Sequence, residues 1–180
     1  VFGMYQNLCE GRTIEWDLLV KDVPGDRSND LDHLVAQLDW DANVDPDFKR
    51  NHYLEPIDVA DTRAEGHVDR WVVYGRVKGV QYFSARELTV DPGCHCTIAE
   101  PGATSLIVVQ GQGRVNQLAV CSPSMIDFYE MTEDEVFVSH ATAVSGVTYT
   151  NTSPTEPLVI LRYFGPDEDA SAPDVGTGVD

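Results

Sequence analysis

The run Glu87-Leu-Thr-Val-Asp-Pro-Gly93 alternates polar and apolar residues and then stops in a Pro-Gly turn, as a half-buried β-strand does where the chain must reverse. The same grammar recurs on both sides of it. Short runs rich in β-branched and aromatic residues predict strands near residues 71–77, 81–90, 94–98, 105–109, 114–120, 125–129, 135–139, 146–151 and 158–164. Asp91-Pro92-Gly93 and Gly111-Gln112-Gly113 are the clearest turns between them. Many short strands with turn signals and no helical period predict an all-β, antiparallel barrel or sandwich.

The first 65 or so residues read differently. They are rich in Asp and hold one convincing helix, which begins at Ser28-Asn-Asp and places Leu31, Leu34, Val35 and Leu38 on one face. His33 falls off that stripe and is expected in solvent. The run from Asp39 to Asp47 imitates the start of a calcium loop, but Val44 stands where the sharp turn wants Gly and Arg50 where a bidentate Glu should close the cage. It reads as a solvated acidic loop. Beyond Gly165 the Pro-, Asp-, Ala- and Gly-rich tail has no aromatic residue with which to order itself, and is expected to be mobile. The expected organisation is an arm over 1–70 packed on a barrel over 71–165, followed by a disordered acidic tail over 166–180.

Composition sets outer limits. At 180 residues and 42% hydrophobic content the chain has room for one core and an extension. A net charge of −18 repels phosphate backbones and anionic lipid surfaces, so neither nucleic acid nor membrane is an expected partner. The Asp-rich surface with few lysines fits either a salt-adapted host or a GC-rich genome. The thiols Cys9, Cys94, Cys96 and Cys121 show no zinc-ribbon pairing and suit a reducing, cytoplasmic compartment. The abrupt start at Val1-Phe2-Gly3 suggests a fragment or processed chain.

Residues 71–165 resemble the cupin superfamily. The resemblance rests on Glu87 to Gly93, on Gln110-Gly-Gln-Gly113 after an apolar strand, on Glu133-Asp-Glu-Val-Phe-Val138, and on Asn151 followed by Glu156-Pro-Leu-Val-Ile160. It implies a jelly-roll barrel. Catalytic cupins hold a divalent metal with His-x-His, Glu and a second-motif His. Counting from Gly111 puts the Glu at Thr104 and the histidine pair at Ile98 and Glu100 or at Thr97 and Ala99; counting from Asn151 puts the last histidine at Val147. Isoleucine, alanine and valine have no donor atoms, so no metal cofactor is expected at the standard positions. The weaker alternative ligands are His95, Cys96, Glu100 and His140, although strand geometry sends Cys94 and Cys96 to one face and His95 to the other.

A looser resemblance covers the whole chain. The acidic arm, Asn51-His-Tyr-Leu-Glu-Pro56 and Asp69-Arg-Trp-Val-Val-Tyr-Gly75 look like the C-terminal half of two-cupin proteins similar to type I mannose-6-phosphate isomerases. This implies a ligand-poor partner barrel, assembled as a homodimer or other homo-oligomer or with a missing N-terminal cupin half. A small-molecule ligand, carbohydrate among the candidates, belongs at the barrel mouth. His52, Tyr53 and Glu55 offer an imidazole, a stacking ring and a carboxylate, while Arg86, Glu100, Tyr149 and Arg162 are strand residues able to line the lumen. His52 and Glu55 on a surface loop, with Arg86 and Arg162 pairing with carboxylates, is the plainer arrangement. Two functions follow: a non-catalytic cupin module of an isomerase-like protein, or a metal-dependent sugar-phosphate isomerase or oxygenase with rearranged His, Cys and Glu ligands. Whether the chain is an enzyme stays open at the level of sequence.

Overall fold

Among the described residues there are nine strands, and burial alternates along the longer ones: β1 (Ile57–Asp58), β2 (His67–Val73), β3 (Ser84–Val90), β4 (His95–Ile98), β5 (Thr104–Val115), β6 (Leu118–Ser122), β7 (Glu135–Val138), β8 (Val147–Asn151) and β9 (Leu158–Phe164). The structure is a computed structural model that describes residues 16–76, 79–125, 128–166 and 168–175. Every strand pairing is antiparallel, and the order is β1-β2-β3-β9-β5-β8-β4, with β6 and β7 also paired to β5. This is the expected all-β fold, an antiparallel sheet curled into a half-barrel.

The curl originates in β5. Its first part, from Thr104 to Gln110, lies between β7 and β9, whereas its last part, from Gly111 to Val115, pairs with β6 and β8. One strand therefore belongs to both walls, with a register shift between Val108 and Gln110 at the change of wall. The Gly-Gln-Gly segment is not the turn that the sequence suggested. A Cβ on Gly111 would strike the Pro157 carbonyl oxygen and one on Gly113 the Thr150 carbonyl oxygen, so these glycines admit neighbouring backbone at close range. The reversal occurs at Asn116 and Gln117.

Between the walls lies the apolar core of Leu88, Val90, Cys96, Leu106, Val108, Val115, Val120, Val138, Ala143, Val147, Tyr149, Leu158 and Ile160. Asn151 closes the end of β8, its side-chain amide donating to the carbonyls of Val90 at 2.9 Å and Glu156 at 2.8 Å. Other differences from the sequence reading are local. The sheet starts at Ile57, ahead of the boundary expected at residue 70. The helix His140–Ser145 was not anticipated, and Phe128 and Tyr129 of the expected strand over 125–129 lie in an exposed turn.

The chain divides into two compact units, Val1–Tyr53 and Leu54–Asp180. Within the first, the described residues form not one helix but four short ones: α1 (Trp16–Leu19), α2 (Leu31–Ala36), α3 (Trp40–Val44) and α4 (Phe48–His52). Aspartates cap two of them, α2 and α3. Asp30, and not Ser28, accepts from the His33 amide at 3.0 Å, and Asp39 accepts from Ala42 at 2.9 Å, so the expected acidic loop is largely helix. Segments of one turn or so are too short for a 3.6-residue period to show. His33, expected in solvent, is half-buried and faces an Arg27 guanidinium nitrogen at 3.3 Å.

Candidate functional site

Alternation along β2, β3 and β9 points Asp69 and Trp71, Arg86 and Leu88, and Ile160, Arg162 and Phe164 to the buried face. The registers Trp71 with Arg86, Arg86 with Arg162 and Leu88 with Ile160 lay these side chains in neighbouring rows. One stretch of the interior is thus apolar and the next is charged. Directly opposed arginines repel each other, and Arg162 is 0% exposed, so opposite charges must be supplied inside.

Two carboxylates supply them by bridging both guanidiniums. Asp69 accepts from Arg162 Nη2 with Oδ1 and from Arg86 Nη1 with Oδ2, the latter at 3.3 Å. Glu100, from the loop after β4, accepts from Arg162 Nη1 with Oε1 and from Arg86 Nη2 with Oε2, the latter at 3.0 Å. Arg86, Asp69, Arg162 and Glu100 therefore close a ring of alternating charge. A fifth member, Asp169, is also bonded to Arg86 Nη2. Aromatic rings wall the site: the Arg86 guanidinium lies 4.5 Å from the Trp71 ring centroid and 4.9 Å from that of Phe164, and Arg162 lies 5.9 Å from that of Tyr149.

Burial decides the electrostatics. It pushes the Glu100 carboxyl above its usual range, against the pull of Arg162 and Arg86. It pushes the Tyr149 hydroxyl up to about 12 and the Cys96 thiol up to about 11. Burial opposes the charge of Arg162 as well, yet Asp69 and Glu100 hold that guanidinium above its ordinary value. For Asp169 burial is outweighed by hydrogen bonds from Ser171 and by the charge of Arg86, and its carboxyl stays below the ordinary range.

Of the residues singled out from the sequence, the structure gathers Arg86, Glu100, Arg162 and Tyr149 in this one place. The others lie elsewhere. His52 and Tyr53 are exposed in the first unit, His52 stacked on Phe48 of its own helix. Glu55 is exposed, and its backbone carbonyl accepts from the Tyr74 hydroxyl at 2.7 Å. His95 is exposed on β4 while Cys96 is buried, so the strand separates them, and His140 is exposed at the start of its helix.

Ile98 pairs with Val147 at the edge of the apolar core, Glu100 is 2% exposed, and Thr97 and Ala99 face outward. Thr104 donates its hydroxyl to the Tyr163 carbonyl at 2.7 Å. Among the described residues no group of three or more His, Cys, Asp or Glu side chains is arranged to hold a metal ion. Both Glu100 oxygens are already hydrogen-bonded to guanidinium.

Asp69 and Asp169 were missed as site residues. Asp69 had a signal, because it shares an inward row with His67 and Trp71 on a strand that the sequence reading began too late. Asp169 had none, since it sits in an acidic segment of low complexity.

No protein-family model matches the sequence, and no curated protein does either. Solved structures resemble the backbone. An RmlC-like cupin protein of Ralstonia eutropha JMP134 is 12% identical with a TM-score of 0.40, the match covering 62% of each chain. A cupin-2 domain protein of Rhodospirillum rubrum is 14% identical with a TM-score of 0.42, over 68% of this chain and 76% of that one. A mutant of Bacillus subtilis oxalate decarboxylase is 18% identical with a TM-score of 0.43, over 68% of this chain and 30% of that one. The present chain thus spans under two thirds of the first and less than a third of the last. These are similarities of β architecture, and no chemistry transfers with them. Among the described residues no helix is long and apolar enough to cross a membrane.

Proposed function

We propose that this chain is a non-catalytic barrel module that works without a metal triad, as the partner or oligomerisation barrel of an isomerase-like protein with a small-molecule site in its interior. The observation that carries the reading is the closed ring of Arg86, Asp69, Arg162 and Glu100. A cation placed beside two buried guanidiniums meets repulsion, and the carboxylate oxygens that would ligate it are already taken. Val147 and Ile98 offer no lone pairs in their place. The isomerase-like part of the reading, with carbohydrate as a candidate ligand, rests on the sequence resemblance alone.

Assembly through the barrel has a physical basis. Among the described residues strand β7 pairs only with β5 and so forms an edge, and its Phe137 is 71% exposed beside Leu118 and Met131 in an open groove of about 1050 Å³. Metal analysis of protein purified without chelator tests the central claim. Content far below one ion per chain is expected. Stoichiometric zinc, iron, nickel or manganese would overturn the reading and favour an enzyme with rearranged ligands.

A further inference from the structure

The four-membered ring is electrically complete, and Asp169 is surplus to it. Two guanidiniums face two bridging carboxylates, so the fifth group adds an uncompensated negative charge to a buried site, and Asp169 is itself only 4% exposed. A structural ion network has no need of such a member. It is also the one member supplied from outside the barrel. Asp69, Arg86 and Arg162 stand on strands and Glu100 in the loop after β4, whereas Asp169 lies in the non-strand segment that follows β9.

That segment lies docked against the barrel at several points. The Glu168 side chain fills the place that a Cβ would take at Gly102, Val175 fills the corresponding place at Gly75, and Asp174 pairs with Arg76 at 3.4 Å. A tight turn aims the carboxylate: Asp169 Oδ1 accepts from the Ser171 amide at 2.9 Å and from its hydroxyl at 2.6 Å, leaving Oδ2 to reach inward to Arg86.

The receiving end is built like a carboxylate clamp. Trp71 and Phe164 hold the Arg86 guanidinium, whose Nε and Nη2 form the fork that grips a carboxylate with two parallel bonds. Asp169 engages only Nη2. The buried Nε has no hydrogen-bond partner among the described residues. A free carboxylate of two to four carbons, unconstrained by the chain, can satisfy both donors where the tethered aspartate satisfies one.

We propose that Arg86 anchors a binding site for a small carboxylate molecule, and that residues 168–175 fill this site with the chain's own carboxylate, Asp169, which the ligand displaces. The inference rests on the reading of the interior as a metal-free binding barrel and adds the ligand class and the device that closes the site. Tethering gives Asp169 a high effective concentration, so the intact chain takes ligand only when it is abundant or when the segment is drawn away.

The experiment uses the full chain and malonate as probe, with chloride at equal ionic strength as control, and each measurement is made with and without EDTA. Thermal unfolding of Asp169→Ala and Asp169→Asn is expected to rise saturably with malonate, with half-effect at a concentration at least about tenfold lower than in the unsubstituted chain. Adding Arg86→Lys to Asp169→Asn should remove the effect. In the unsubstituted chain malonate should accelerate release of residues 169–180 by a Glu-specific protease cutting after Glu168, which decides the matter if the variants do not fold. Absence of any shift beyond chloride in folded variants overturns the site. Equal sensitivity of variant and unsubstituted chain overturns the plug. A response that appears only when EDTA is omitted is a metal-held carboxylate, and would sink the metal-free reading together with this site.

Discussion

Arg162 shows how a buried charge dictates its surroundings. Fully enclosed, it survives because Asp69 and Glu100 each give it an oxygen, and both then reach across to Arg86. Arg162→Met keeps the volume but leaves those carboxylates facing a single guanidinium. Removing one partner of a buried pair costs about 3–5 kcal/mol, and urea unfolding should show a loss of that size. Asp169 makes a prediction in pH. Its carboxyl is held below the ordinary 3.8, so the folded chain binds fewer protons there than the unfolded one, and the contact stabilises the fold above that value. As pH falls through and below 3.8 the contribution is lost. The gap in urea midpoint between the unsubstituted chain and Asp169→Asn should therefore be widest near neutrality and close towards pH 3. A gap that widens on acidification would contradict the ionised contact. Arg86, Glu100, Tyr149 and Arg162 were legible as lumen candidates because polar residues on otherwise apolar strand positions stand out. Their common location was not legible, since it depends on strand register.

At the scale of elements, β5 makes the fold, and its glycines are the part most easily misread. In sequence Gly111 and Gly113 look like a reversal; in space they let one strand pass against the backbones of Thr150 and Pro157 while it changes walls. Gly113→Ala should destabilise by roughly 1–3 kcal/mol in urea unfolding, because the clash is with a carbonyl oxygen that cannot swing aside. Gly165→Ala, where a Cβ meets open space, serves as the control and should change little. The helices carry the opposite lesson. Each in the first unit is four to six residues long, and the aspartate caps Asp30 and Asp39 look the same in sequence as aspartates in a solvated loop.

For the whole molecule, the division between Tyr53 and Leu54 leaves all nine strands on one side. Helices this short are marginal without tertiary support, so a peptide of residues 1–53 is expected to show little helical circular dichroism. The chain from Leu54 onward should keep a cooperative unfolding transition, since the apolar core and the charged ring both lie within it. A cut at Asp69, which the sequence boundary near residue 70 suggested, would instead remove β1 and the first residues of β2. A helical, cooperatively melting 1–53 peptide would show that the first unit is self-sufficient.

The sequence by itself determined the class of fold, because the period-two alternation and the turn residues are local properties of the chain. It also determined that Ile98 and Val147 are side chains without donor atoms, which is a matter of residue identity. The outward or inward facing of Thr97, Ile98, Ala99 and Glu100 was left open by counting, and only their burial in the folded chain decided it. The meeting of Asp69, Arg86, Glu100, Arg162 and Asp169 likewise belongs to the tertiary structure. Those residues come from three strands, a loop and a terminal segment, and no local pattern encodes a contact between Arg86 and Asp169. What joins them is the cost of burying charge, which falls on the folded molecule and not on any stretch of its sequence.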